Sequence, residues 1–461
     1  MSKTHEASLS VDTLRKAVKD GSIDTVLVCQ VDMQGRLMGK RFHASFFLEH
    51  ALEETHSCNY LLATDQEMET VEGYKATSWA SGYGDYVMVP DLATLRLTPW
   101  LEGTAMVLCD VQDHDTHEDV PHSPRAILKK QLARLAERGW STRMATELEF
   151  FLFDISYEKA QRRGYHGLMD KLSSAYNEDY HILQTTKEEA VMRRIRNGIA
   201  GAGIAVEGSK GEASAGQEEI NILYADALSM ADAHVIVKNA CKEIAWSQGK
   251  AITFMAKWHA DSAGSSSHIH QSLLDENGDS VFFDPDAEHG MSTLMRQYVA
   301  GLLDHASEVT AFLAPTINSY KRFVAGTFAP TRAVWSLDNR TAGYRLCGAG
   351  GKGVRIECRV GGADLNPYLA MAAEIAAGLD GIERELELAP PAEGDTYGDD
   401  AGEQIPTTLR AAAEALDGSR MLRDAFGDAV IDHYVHAARW EQTAFDSTVT
   451  DWERQRLFER G

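Results

Sequence analysis

Apolar and polar positions along the chain follow two periods. In the first hundred residues the period is mostly two. Residues 25–31 (TVLVCQV) read as a strand, Asp32-Met33-Gln34-Gly35 as a turn, and residues 36–42 as a returning strand. A short helix is predicted just before them, over 11–20. From Pro124 onward the helical period takes over. Ile127, Leu128, Leu132 and Leu135 fall on one face of a predicted helix over 124–138, which Gly139 closes. Further helices are predicted over 187–199, 232–248, 292–312 and 367–386. The charged run 111–123 reads as a loop between domains, and the acidic, Gly- and Pro-rich run 390–403 as an exposed loop. Helices gathered around mainly antiparallel strands give an α+β class. The expected division is an N-terminal domain over 1–115 and a C-terminal domain over 116–461.

Three predicted strands carry chemistry. In Thr146-Glu147-Leu148-Glu149-Phe150-Phe151-Leu152, alternation puts Glu147 and Glu149 on one face and Leu148, Phe150 and Leu152 on the other. Neighbouring carboxylates repel, and their burial is costly. A hard divalent cation resolves that conflict, although an exposed polar face explains the pair alone equally well. In residues 354–360 (VRIECRV), Arg355, Glu357 and Arg359 share a face. Two arginines around a glutamate suit an anion beside a metal, or a plain cross-strand ion-pair ladder. In the third, His268, His270 and Ser272 align behind the small-residue run Gly264-Ser265-Ser266-Ser267. Glu212 and Glu219 flank a bend of small residues, a weak signal by itself.

Composition narrows the classes. The 461 residues include 45 Lys+Arg and 69 Asp+Glu, a formal charge of −24. That argues against a general binder of nucleic acid or anionic membrane. No apolar run approaches the ~18 residues of a membrane span, and the polar N-terminus does not read as a secretory signal. Six scattered cysteines without a Cys-x-x-Cys pair fit a reducing cytoplasm. Gly348-x-Gly350-x-x-Gly353 matches a dinucleotide fingerprint in letters only, since it leads into a strand rather than a helix.

In their order, these segments resemble the glutamine synthetase family. The resemblance begins at the hairpin around Asp32 and at Pro90-Asp91-Leu92-x-Thr94-Leu95-Arg96. It continues through Glu147-x-Glu149-Phe150, Glu212 to Glu219, Gly264 to Ser272, Asn339-Arg340-Thr341-Ala342 and Arg355-Ile356-Glu357-x-Arg359. It ends at Asn366-Pro367-Tyr368. It implies an N-terminal β-grasp domain and a catalytic domain with a curved antiparallel sheet and surrounding helices. It also implies a homo-oligomer, a dodecamer with active sites between subunits. The implied chemistry joins an amine to the γ-carboxyl of glutamate, with ATP as co-substrate, through γ-glutamyl phosphate. Two or three Mg²⁺ or Mn²⁺ ions are implied with it.

Carried over by position, the resemblance makes Glu149, Glu212 and Glu219 ligands of one ion and Glu147, His268 and Glu357 ligands of a second. Arg322 and Arg359, beside Gly264, would hold glutamate, and Arg340 would act on the transferring phosphoryl group. Glu207, His270, Ser272, Arg345, Lys352 and Arg355 would contact ATP. The charges agree, because arginines offset the anionic substrates while cations offset the glutamates.

The sequence departs from ammonia-using members at the amine site. Their R-x-x-x-G-x-E-A-P frame reads Arg322-Phe-Val-Ala-Gly326-Thr-Phe328-Ala329-Pro330 here. Their second acid has only Ser57-Cys58-Asn59-Tyr60-Leu61 as a counterpart, without an aspartate. Ammonium needs carboxylates to bind and shed a proton. Phe328 and Tyr180 are placed in the amine pocket. The expected substrate is a small monoamine of the ethanolamine type. The alternatives are a polyamine such as putrescine, ammonia itself, or a non-catalytic relative.

Overall fold

The computed structural model describes residues 9–177, 179–398 and 402–461. Its first sheet has six strands: β1 Thr25–Val31, β2 Leu37–His43, β3 Thr55–Cys58, β4 Asp85–Pro90, β5 Arg96–Leu97 and β6 Thr104–Asp113. The order is β2-β1-β6-β4-β3, with β5 on β6, and β1 runs parallel to β6 as in a β-grasp. Asp32 builds the β1–β2 turn. Its carboxylate accepts from the Gln34 and Arg36 amides (3.0 and 2.8 Å) and pairs with the Arg36 guanidinium (2.6 Å). The helix Val11–Asp20 packs Leu14 against this sheet.

The second sheet has eight strands: β7 Ser141–Phe153, β8 Val206–Gly211, β9 Gln217–Ile222, β10 Ala251–Thr253, β11 Ser267–Leu274, β12 Trp335–Leu337, β13 Tyr344–Cys347 and β14 Arg355–Cys358. It curves through the order β12-β13-β14-β11-β7-β9-β8, with β10 on β7, and only β12 and β13 pair in parallel. Leu148, Phe150, Ile220 and Ile356 point to one side. There they join Ile195, Ile236 and Met371 from the helices Ile182–Gly201, Ala227–Ser247 and Pro367–Glu383 in one core. Burial of that face by the hydrophobic effect fixes the register, so the alternate residues are committed to the opposite face.

Several expected boundaries change, and the helices predicted over 187–199 and 232–248 begin earlier, as Ile182–Gly201 and Ala227–Ser247. The predicted loop 111–123 is strand as far as Asp113, because Val111 is buried against Leu62 and Tyr86. The predicted helix 292–312 is two helices, Thr293–Asp304 and Ala306–Leu313, broken where the His305 ring reaches Asp380 (2.7 Å). The strand predicted over 354–360 is regular only as Arg355–Cys358. Residues 390–398 carry neither helix nor strand, as expected, and 399–401 lie outside the described residues.

One buried cation ties the two sheets together. Arg125, at the start of the helix Pro124–Ala136, reaches Asp91 (2.6 Å) and Asp110 (2.5 Å) on the first sheet's side and Asp232 (3.1 Å) on the helix Ala227–Ser247. Tyr368 donates to Asp232 as well (2.5 Å). Removing the guanidinium leaves Asp232 as a buried, poorly compensated charge. We expect Arg125→Leu to cost about 3–5 kcal/mol, read as a lower urea midpoint; a loss well under 1 kcal/mol would contradict this account.

Candidate active site

Strand register assembles the site. β11 lies between β7 and β14, which sets His268 opposite Glu147 and His270 opposite Glu357. β9 sets Glu219 opposite Glu149, and β13 sets Arg345 opposite Glu357. The bend after β8 brings in Glu212. Two groups result, Glu149/Glu212/Glu219 and Glu147/His268/Glu357. In each, one ligand atom per residue lies within 4.8 Å of the others. Both correspond to sets expected from the sequence.

The electrostatics of the first group fit a hard divalent cation. Burial and the Glu212 charge push Glu149 up to about 7, and burial and the Glu149 charge push Glu219 up to about 8. The donors around them are few. Ser266 gives Glu149 its hydroxyl and its amide (2.9 Å), and Gln217 adds an amide at 3.2 Å. Asn221 donates to Glu219 at 2.9 Å, and Lys210 pairs with Glu212. In the second group, Glu357 is fully buried between Arg345 (2.9 Å) and Arg359 (2.6 Å). Burial opposes ionisation of Glu147, but a hydrogen bond to His270 (2.8 Å) and the charges of Arg359 and Arg345 hold its carboxyl below the usual range. Burial and the same arginines keep His268 neutral, and its buried Nδ1 has no partner among the described residues. An oxygen-only trio and a trio with one neutral imidazole are donor sets that Mg²⁺ or Mn²⁺ accepts.

Glu147, Glu149, Glu212, Glu219 and His268 line a cleft of about 540 Å³, with Glu357 buried beneath Arg345 and Arg359 of its wall. Its walls also carry Arg322, Arg340, Arg345, Arg359, Gly264, Tyr180 and Phe328, all expected there. Arg322 is buried and donates to the Val360 and Arg359 carbonyls (2.8 and 3.0 Å). Gly264 must be glycine, since a Cβ would lie 2.5 Å from Arg322 Cγ and 2.9 Å from the Ala256 carbonyl. Phe328 is 58% exposed and holds a left-handed backbone (φ 57°), unusual for an aromatic residue. From the cleft, a polar run leads away through His270, whose Nδ1 accepts from Arg355 (3.3 Å). Ser272 (3.5 Å from Ser280) and Lys352 (3.9 Å from Asp279) lie further along it. Glu207 stands apart on β8. Among the described residues no hydrogen bond or ion pair joins it to the others.

Lys210 was missed from the sequence. It bridges Glu212 and Glu219 (4.0 Å) and lies over the Tyr180 ring, 4.6 Å from its centroid. Its position two residues before Glu212 in a strand was the available signal. Ser266 and Gln217 were missed too, because nothing in a serine run or a lone glutamine marks a carboxylate partner.

Residues 121–457 match the family described as glutamine synthetase, catalytic domain. The chain belongs to the glutamine synthetase family. Members of this family are ATP-dependent carbon–nitrogen ligases, and the chain is one of them by descent. It is 48% identical to the gamma-glutamylethanolamide synthetase GlnA4 of Streptomyces coelicolor, over 98% of this chain and 96% of that one. It is 36% identical to a glutamate–isopropylamine ligase of Pseudomonas sp, over 97% of each. The solved GmaS/ADP complex superposes with a TM-score of 0.84 at 28% identity, covering 97% of this chain and 99% of that one.

The raised carboxyls of this glutamine synthetase relative carry a pH signature. Unfolded, Glu149 and Glu219 lose their protons near the ordinary glutamate value; folded, they keep them to about 7 and 8. The folded state therefore binds more protons across that interval, and stability falls as pH rises through it. The metal-free protein should melt progressively lower from about pH 5 to about pH 8. Mg²⁺ or Mn²⁺ should restore most of the loss at the alkaline end. A flat metal-free melting profile would contradict the assignment.

Proposed function

We propose that the enzyme joins the γ-carboxyl of glutamate to a small primary monoamine of the ethanolamine type, with ATP as the co-substrate. The observation that carries the amine class is Phe328. It stands at the cleft wall in an intact R-x-x-x-G-x-F-A-P frame, where ammonia-using relatives carry glutamate. An aromatic wall offers no charge to an ammonium ion and apolar area to a carbon-bearing amine. The names of the two relatives with organic amines support the same reading.

In this proposal Arg322 and Arg359, beside Gly264, bind the glutamate carboxylates. A γ-carboxylate oxygen attacks the terminal phosphorus of ATP, and ADP leaves. Arg340 lies against the phosphoryl group and offsets the charge that develops on it. The neutral amine, held by Phe328 and Tyr180, then attacks the acyl carbon. The carbon–oxygen bond breaks and phosphate leaves, taking up the proton that the nitrogen sheds. Arg345, Arg355, His270, Ser272, Lys352 and Glu207 are assigned to ATP. Glu147, His268 and Glu357 would hold one divalent ion, and Glu149, Glu212 and Glu219 another. Such ions supply charge neutralisation across the transferred group. We further assign a cytoplasmic dodecamer whose neighbouring subunits complete each site.

The test is phosphate release with ATP, Mg²⁺ and glutamate against ammonia, ethanolamine, methylamine, isopropylamine, putrescine and spermidine, with product masses checked. Ethanolamine or another monoamine should be preferred; ammonia as the best substrate would overturn the reading of Phe328. Phe328→Glu should raise ammonia-dependent turnover by about 10-fold or more. Glu357→Ala should lower turnover by about 100-fold or more while leaving the oligomer folded, and substantial residual activity would count against the metal assignment.

A further inference from the structure

A second cleft, of about 740 Å³, opens between the β1–β2 turn, the helix Ala227–Ser247 and the turn Ser319–Arg322. It shares no lining residue with the catalytic cleft. Its charge runs against that of the chain. Four cations, Arg36, Lys238, Lys242 and Lys321, line it against two acids, Asp364 and Glu441. Arg36 is committed to Asp32, and Asp364 accepts from the Thr316 and Ser319 hydroxyls (2.8 and 2.6 Å).

The three lysines have no carboxylate within 4.0 Å among the described residues. They lean on aromatic faces instead. Lys238 and Lys242, one helical turn apart, sit 5.4 and 5.8 Å from the Phe254 centroid, and Lys321 sits 5.6 Å from that of Phe445. Lys238 also donates to the Ala363 carbonyl at 2.7 Å. Like charges at this spacing repel, and a chain with 69 acids has many ways to neutralise them. Burial and the neighbouring Lys242 charge push Lys238 down to about 7; burial and the Arg36 charge lower Lys242. An anion in the cleft would reverse both effects.

We propose that this cleft binds a phosphoryl dianion, either free phosphate or a phosphate monoester. Lysine ammoniums are compact point charges suited to phosphate, in contrast to the forked arginines that dominate the catalytic cleft. The volume leaves room for a small organic body against Phe254 and Phe445 beyond the phosphoryl group. The turn that presents Lys321 to this cleft presents Arg322 to the catalytic one.

Calorimetric titration of the full-length enzyme, held in Mg²⁺ and ADP, tests the proposal. The probes are inorganic phosphate, glycerol 3-phosphate and malonate, and the proteins are wild type and the double variant Lys242→Gln, Lys321→Gln. Phosphate or its ester should bind one site per subunit more in the wild type than in the variant, or at least about 10-fold tighter at that site. Amide formation in phosphate-free buffer should be unchanged by the substitutions. The tighter of the two phosphoryl probes identifies the source. Identical binding to both proteins, no binding to the wild type, or malonate binding as tightly as the phosphoryl probes would each overturn the proposal. Should the double variant fold poorly, Lys242→Gln alone, with its side chain open to the cleft, gives the same comparison.

Discussion

Five carboxylates converge at one face of one sheet, four from its strands (Glu147, Glu149, Glu219 and Glu357) and Glu212 from the bend beside it. Close like charges in a desolvated place are strongly unfavourable, and much of the surrounding structure answers that single conflict. Arg345 and Arg359 clamp Glu357, His270 bonds Glu147, Ser266 and Gln217 bond Glu149, and Lys210 bridges Glu212 and Glu219. In the proposed function, divalent cations answer the remainder. The conflict is tolerated because the other face of the same strands is packed in an extensive apolar core, so no register slip relieves it.

The end of the cleft proposed to take the amine follows a different logic. No acid faces Phe328 from the segment that carries it, and its neighbours Thr327 and Ala329 are uncharged. Selectivity at such a wall rests on surface and shape, which discriminate by small increments per methylene group. The carboxylate end discriminates by charge. In the proposed function, one cleft handles an anionic acid and an organic amine by separate physical means.

The strand chemistry was legible because period-two alternation assigns faces without knowledge of partners. Glu147 with Glu149, and His268 with His270, could be paired within a segment. What alternation cannot supply is which strands are neighbours, so in the sequence the grouping of Glu149 with Glu212 and Glu219 rests on family resemblance, whereas in the fold it follows from β9 lying beside β7. Lys210 escaped for the same reason: its role depends on two carboxylates and a ring from three segments. The break at His305 was invisible because a side chain on a distant helix, Asp380, makes it. The strand continuing to Asp113 was obscured by polar residues that follow a buried valine.

The Arg125 knot also bears on motion. It grips Asp91 and Asp110 from one sheet's side and Asp232 from the other, in a buried pocket. A hinge between the two sheets would have to strip several charge-assisted bonds at once, so this seam behaves as a weld rather than a pivot. On the rim of the catalytic cleft, by contrast, lie the segments carrying Tyr180 and Phe328. Both side chains are largely exposed, and neither belongs to a helix or strand. The cleft thus joins a floor fixed by strand register and buried ion pairs to a rim that, among the described residues, lies outside helix and strand.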